Sequence, residues 1–170
     1  MKLKKFIMIP VIIGILAFLI QTLDQWLSPM MQPSGNVGFS WISFQAWATY
    51  FLAGANVKGG IKTFLAYAVG IAGSIVIMLL GGVLTPTLAF WAVPVAVGVI
   101  AFSVIFLEKV EWLSLIPALF IGAGAFFAFM SYVPGATFTS AAITQMVYCT
   151  IGLVFGYITV SLRVAWENRK

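Results

Sequence analysis

Apolar residues fall into six long blocks separated by short breaks rich in glycine, proline or charge. The blocks predict helices over residues 6–23, 39–55, 63–84, 88–107, 112–133 and 140–162. Each is close to the roughly 20 apolar residues that a helix needs to cross a ~30 Å hydrocarbon layer. Pro10 sits in the first turns of the first block, where a missing backbone donor is cheap. The turn expected between the third and fourth blocks is Thr85-Pro86-Thr87, and that between the fifth and sixth is Pro134-Gly135-Ala136-Thr137. The connection 24–38 is less ordinary. It carries Pro29, Pro33, Ser34, Gly35, Asn36 and Gly38, yet also Trp26, Leu27, Met30 and Met31. Part of it is apolar enough to dip back into the membrane, which irregular backbone does only where protein or a wet cavity covers it.

Composition narrows the class further. Hydrophobic residues make up 62% of the chain and charged residues 8%, outside the range of soluble globular domains. The fold class expected is an all-α polytopic membrane protein, a single domain over residues 1–170 whose first partner is the lipid bilayer. The start, Lys2, Lys4 and Lys5 before an apolar run, is shaped like a signal peptide, but Gln21 to Trp26 offers no small-residue cleavage site. It reads as an uncleaved first span.

The net charge of +5 is a topology signal, and it gives no reason to expect nucleic acid. With six spans, one face collects all nine basic residues, among them Lys58, Lys62, Lys109 and Arg163, and the other face collects none. Both ends of the chain are therefore expected on the cytoplasmic side. Five tryptophans, Trp26, Trp41, Trp91, Trp112 and Trp166, lie near predicted helix ends as an interfacial belt; Trp47 lies mid-helix.

A repeat organises the blocks. Pro10, Gly14, Ala17 and Phe18 recur 84 residues later as Pro94, Gly98, Ala101 and Phe102, and Leu23 and Asp24 then fall on Leu107 and Glu108. Trp41 and Ser43 match Trp112 and Ser114 more faintly, and Gly70 with Ser74 matches Gly152 with Gly156. An odd number of spans per repeat turns the second copy upside down. The expectation is thus six transmembrane helices as a 3+3 inverted-topology repeat, with halves of about residues 6–84 and 88–162. Such repeats recur in folds that pass solutes between their halves. The bland alternative is a duplication that builds only a packed bundle.

Candidate chemistry is sparse. Asp24, Glu108, Glu111 and Glu167 all stand at predicted helix ends, no nucleophile and base pair is visible, and no enzyme is expected. Cys149 is the one cysteine and there is no histidine, so neither a disulfide nor a metal or other cofactor is expected. The predicted spans hold no ionisable residue at mid-depth, which favours a passive route for an uncharged solute. Two polar stripes at helical spacing remain: Gln45, Thr49 and Asn56 on the second helix, and Gln145, Tyr148, Cys149, Gly152, Gly156 and Thr159 on the sixth. Together with Trp47 and Tyr50, the residues Gln45, Thr49, Asn56, Gln145 and Tyr148 are the expected substrate pathway, an aromatic-walled constriction selecting by size and hydrogen bonding. Taken singly, each glutamine more often just bonds a neighbouring helix. Asp24 and Glu108 are the expected vestibule acids at opposite mouths. The function expected is a channel or facilitator for a small neutral or weakly polar solute, assembled as a homo-oligomer. A non-transporting scaffold or accessory subunit and an ion-coupled carrier are the alternatives, and a buried, paired Asp24 would favour the carrier.

The block from Trp41 through Gln45, Trp47, Tyr50, Gly54 and Asn56, followed by Lys58-Gly59-Gly60, resembles the YcdZ-like family of bacterial inner-membrane proteins. The resemblance spans roughly residues 38–160. It implies a bacterial inner membrane and one compact domain, and it brings neither a substrate nor site residues. In size and span number the chain is also similar to the proton-gated urea and amide channels, without their motifs, which is analogy alone.

Overall fold

The structure, a computed structural model, describes residues 6–35 and 38–168. Lys2, Lys4, Lys5, Arg169 and Lys170 of the charge pattern, and Asn36 of the connection, lie outside the described residues. Six α-helices follow one another with no strand among the described residues: α1 Met8–Leu27, α2 Ser40–Leu52, α3 Val57–Leu88, α4 Ala92–Ile105, α5 Ile116–Tyr132 and α6 Phe138–Glu167.

Helix order matches the six apolar blocks, but several ends move, each for a local reason. α1 continues to Leu27 and takes Asp24 into the helix. α3 begins at Val57, six residues before the predicted start, because the Asn56 side chain accepts the Gly59 amide at 2.9 Å and caps it. The expected turn at Thr85-Pro86-Thr87 is helical, and the chain reverses instead at Ala89, whose φ is +44°. Pro86 lies near the end of α3, where the threonines beside it bond back to the helix: Thr85 Oγ1 donates to Gly81 at 2.7 Å and Thr87 Oγ1 to Leu84 at 3.0 Å. α5 begins at Ile116, with Pro117 in its first turn, so Trp112 and Ser114 precede the helix whereas Trp41 and Ser43 lie inside α2. The faint sequence match between those pairs does not mark equivalent places.

α2 has 13 residues and α4 has 14, so at 1.5 Å per residue each is only about 20 Å long. Three helical stretches are long and apolar enough to cross a membrane by length and composition: Met8–Met30, Val57–Lys109 and Phe138–Glu167. The middle stretch is a hairpin. A Cβ on Gly81 would lie 3.3 Å from Val93 and one on Gly73 would lie 3.6 Å from Ile100, so α4 runs back along α3.

Packing places like-directed helices side by side. α3 runs parallel to α5, with Lys58 meeting Glu111, Lys62 meeting Ser114 and Ser74 meeting Ala123. α2 runs parallel to α6, with Ser43 donating to the Tyr148 carbonyl and Gly156 against Tyr50. The two crossings share one arrangement. A Cβ at Gly152 of α6 would strike the Ser43 carbonyl and come within 2.9 Å of the Trp47 amide nitrogen. A Cβ at Gly70 of α3 would strike the Leu119 carbonyl and come within 2.8 Å of the Ala123 amide nitrogen. In each case glycine lets one helix backbone rest on a carbonyl and on the amide four residues later.

α1 lies antiparallel to α6: Asp24 meets Tyr148, and Leu16 and Ile20 pack with Trp47, Phe155 and Ile158. The start of α1, the end of α6 and the described basic residues Lys58, Lys62, Lys109 and Arg163 therefore share one end of the bundle. At the other end Phe39, Ile42, Ile71, Phe126, Phe129 and Tyr148 form an aromatic core, with Phe39 and Phe129 stacked at 5.2 Å. Residues of the connection after α1 fold over this end, where Thr144 donates to the Gln32 carbonyl at 3.3 Å.

Candidate functional site

The polar centre of the molecule lies at the end of α1. Asp24 is 2% exposed. Its Oδ1 accepts the Tyr148 hydroxyl of α6 at 2.7 Å and the Phe39 backbone amide at 3.0 Å. Phe39 is the residue that opens α2 and has no side-chain cap of its own, so a carboxylate from another helix closes that end and faces its positive dipole. Oδ2 is less engaged, with the Gln21 amide nitrogen at 3.5 Å. Gln21 is held in turn through its Oε1, which accepts the Ser40 hydroxyl at 3.0 Å.

Beside this carboxylate lies a cavity of about 430 Å³ lined by Gln21, Asp24, Gln25, Ser28 and Gly38. Gln21, Asp24 and Ser28 recur at three- and four-residue spacing, which puts them on one face of α1 and the turn after it. Asp24 and Ser28 are buried, while Gln21 and Gln25 are exposed. Ser28 Oγ is buried, the residue being 1% exposed, and it interacts with the Tyr148 hydroxyl without forming a well-aligned hydrogen bond. Gly38 has φ +97°, a conformation that favours glycine, and a Cβ there would sit 4.0 Å from Asp24 Oδ2.

The pathway residues read from the sequence are distributed differently. The α6 stripe turns inward as its spacing predicts, with Gln145, Tyr148, Cys149, Gly152, Gly156 and Thr159 all buried. The α2 stripe turns inward only at Thr49, which is buried. α2 meets α6 through Ser43, Ala46, Trp47 and Tyr50, which leaves Gln45 exposed. Thr49 bonds the Gln45 carbonyl at 2.7 Å and lies 3.4 Å from the Tyr67 hydroxyl. Asn56 is an exposed helix cap, and Trp47 packs between α1 and α6. Gln145 donates to the Gly122 carbonyl of α5 at 2.6 Å, the ordinary interhelical role for a buried amide. Gln45, Trp47, Gln145 and Tyr148 therefore do not converge on one constriction here.

The two acids expected at vestibules also part company. Glu108 is exposed on the short 3₁₀ turn Phe106–Lys109, whereas Asp24 is buried and paired. Asp24 stands in the last turn of α1 and not at mid-depth, so the absence of a mid-depth ionisable group is not overturned; what differs is that this helix-end acid is buried instead of solvated. Tyr148 and Asp24 are 124 residues apart, and each was legible as polar; their contact was not. The i, i+3/i+4 spacing of Gln21, Asp24, Gln25 and Ser28 was the available signal, hidden because the first apolar block seemed to end at Leu23.

At the opposite end Lys58 Nζ bonds Glu111 Oε1 at 2.6 Å and stands 5.7 Å above the Trp112 ring. The Lys58 hydrogen bond and charge hold the Glu111 carboxyl below its ordinary range. Both side chains are exposed, so the pair ties the α2–α3 and α4–α5 turns together only weakly. Among the described residues no group of three metal-ligating side chains occurs.

Apolar helices long enough to cross a bilayer, with a single buried carboxylate at one end, define the class as a helical membrane protein. Its sequence belongs to the DUF1097 family of proteins of unknown function, whose profile matches residues 7–162. Neither the curated proteins nor the solved structures include a match.

Proposed function

We propose that the protein is a six-span inner-membrane transporter of bacterial type, built as a 3+3 inverted repeat, that passes a small polar solute past Asp24. The carrying observation is the buried, hydrogen-bonded carboxylate beside a 430 Å³ cavity. Ionisable groups inside membrane proteins are expensive to keep and commonly serve solute or ion pathways. The volume falls within the roughly 300–1,000 Å³ typical of small-molecule sites.

The inverted repeat draws support from contacts made at positions that the sequence match pairs. α6 crosses α2 as α3 crosses α5, glycine upon carbonyl. α1 lies antiparallel to α6 as α4 does to α3, and Pro10 and Pro94 are each the third residue of their helix. The gathering of Lys58, Lys62, Lys109 and Arg163 at the end shared by the start of α1 and the end of α6 supports a cytoplasmic location for that end. A buried Asp24 moves the reading from a passive route for neutral solutes toward transport that depends on a carboxylate, and so toward the ion-coupled alternative.

Flux into proteoliposomes tests the proposal, using a panel of small amides, alcohols, aldehydes, weak acids and amines. The expected result is at least one solute that enters faster than through protein-free lipid and whose entry falls in Asp24→Asn. Equal rates with and without protein across the panel would refute it.

A further inference from the structure

We infer that the Asp24 cavity binds the ammonium group of a small organic cation, held between Asp24 Oδ2 and Ser28 Oγ. The inference rests on reading the cavity as part of a solute pathway, and it concerns which chemistry the cavity selects.

The two carboxylate oxygens have different tasks. Oδ1 is occupied by the Tyr148 hydroxyl and the Phe39 amide, both within 3.0 Å, and these hold the side chain across three helices. Oδ2 has only the distant Gln21 amide, and Asp24 lines the cavity together with Gly38. A second acceptor, Ser28 Oγ, lines the same cavity, buried beside the Tyr148 hydroxyl with no well-aligned hydrogen bond among the described residues, so its lone pairs remain open to a donor. A buried hydroxyl with poorly satisfied lone pairs is costly to keep, and a ligand N–H that reaches it offsets that cost.

Charge points the same way. The ion pairs among the described residues are Lys58 with Glu111 and Arg163 with Glu167, at the far end of the bundle. Lys62 and Lys109 stand at that far end too, so no described cation stands near Asp24. Hydrogen bonds and the α2 dipole offset part of the cost of burying this charge, and a bound cation would offset more.

The cavity also discriminates between cations. A bare metal ion wants several oxygens at short range. Here the Gln21 carbonyl oxygen is committed to Ser40, which turns the amide nitrogen toward Asp24, and among the described residues no metal-ligating cluster accompanies the carboxylate. An alkylammonium needs only two or three acceptors for its N–H groups, and its carbon body fills volume that an ion would leave to water.

The test is equilibrium calorimetry on the full chain in phosphatidylcholine nanodiscs, titrated separately with ethylammonium chloride, sodium chloride, tetramethylammonium chloride and acetamide. Saturable ethylammonium binding is expected, with sodium, tetramethylammonium and acetamide each at least tenfold weaker. Asp24→Asn should weaken ethylammonium binding at least tenfold, and Ser28→Ala roughly tenfold, the loss of one hydrogen bond to a charged group. Where Asp24→Asn does not fold, Ser28→Ala decides, because it leaves the carboxylate and its Tyr148 bond in place. Absence of ethylammonium binding, equal binding of sodium or acetamide, or unchanged affinity in Ser28→Ala would overturn the inference. Because binding is read without any flux, a transporter that moves other solutes and a cavity that binds ammonium without transport give distinguishable results.

Discussion

Tyr148 shows how much one buried hydroxyl carries. It donates to Asp24 Oδ1 at 2.7 Å, while its ring lies edge-on to Phe39 with centroids 5.8 Å apart. Tyr148→Phe keeps the ring packing and deletes the donor, so the expected loss is about 1.5–3 kcal/mol, the range for a hydrogen bond to a charged group. Reversible unfolding in mild detergent measures it, with Gln45→Ala as the comparison. Gln45 is exposed, and its replacement should change stability by no more than about 0.5 kcal/mol. Equal losses in the two variants would mean that Asp24 does not depend on Tyr148. The sequence displayed both residues as polar positions in apolar surroundings, but residue type and spacing carry no information about a partner 124 positions away. What could be read locally was the face shared by Gln21, Asp24 and Ser28; recognising it required α1 to extend four residues beyond Leu23.

Helices are where sequence reading and structure agree most, and they differ where capping outweighs composition. Long apolar runs give six elements in the right order because hydrophobic length is a property of the run itself. Gly59 and Gly60 look like helix breakers, yet they sit in the first turn of α3. There a Cβ on Gly59 would strike the Ala53 carbonyl and one on Gly60 would press on the Tyr50 ring. Pro86 likewise looks like a turn, yet α3 runs on to Leu88. The crossing glycines lead to an expectation at this scale. Gly152→Ala and Gly70→Ala should each push a helix pair apart and lower stability, typically by about 1–3 kcal/mol for an overpacked contact. Gly14 and Gly98 have open space where a Cβ would go, so alanine there should be neutral or slightly stabilising, by up to about 1 kcal/mol. Thermal unfolding of the four variants distinguishes packing glycines from incidental ones; a similar cost at all four would contradict the shared crossing. The crossing also explains the mid-helix Trp47. Its backbone stands where Ala123 stands in the other pair, and its ring fills the space between α1 and α6. Around Ala123 a cavity of about 230 Å³ remains, bordered by Gly73, Ile100 and Phe127.

At the scale of the whole molecule, the bundle has one basic end and one end that carries Asp24. Cysteine labelling in a Cys149→Ser background checks how they are oriented. Lys109→Cys should react only from the cytoplasmic side, and Met30→Cys, at a position 74% exposed near the Asp24 end, only from the other. Labelling of both from one side would remove the six-span orientation. Composition made the membrane class legible because a chain with 8% charged residues has few ways to satisfy water. The constriction was not legible, since helix rotation decides which stripe is buried, and α2 turns Ala46 and Trp47 toward α6 while leaving Gln45 outside. The most direct measurement is therefore the initial rate of ethylammonium entry into proteoliposomes containing wild type, Asp24→Asn or Gln45→Ala. The expected result is uptake above protein-free lipid in wild type and Gln45→Ala, with at least a tenfold loss in Asp24→Asn. Uptake that survives Asp24→Asn and disappears in Gln45→Ala would contradict it.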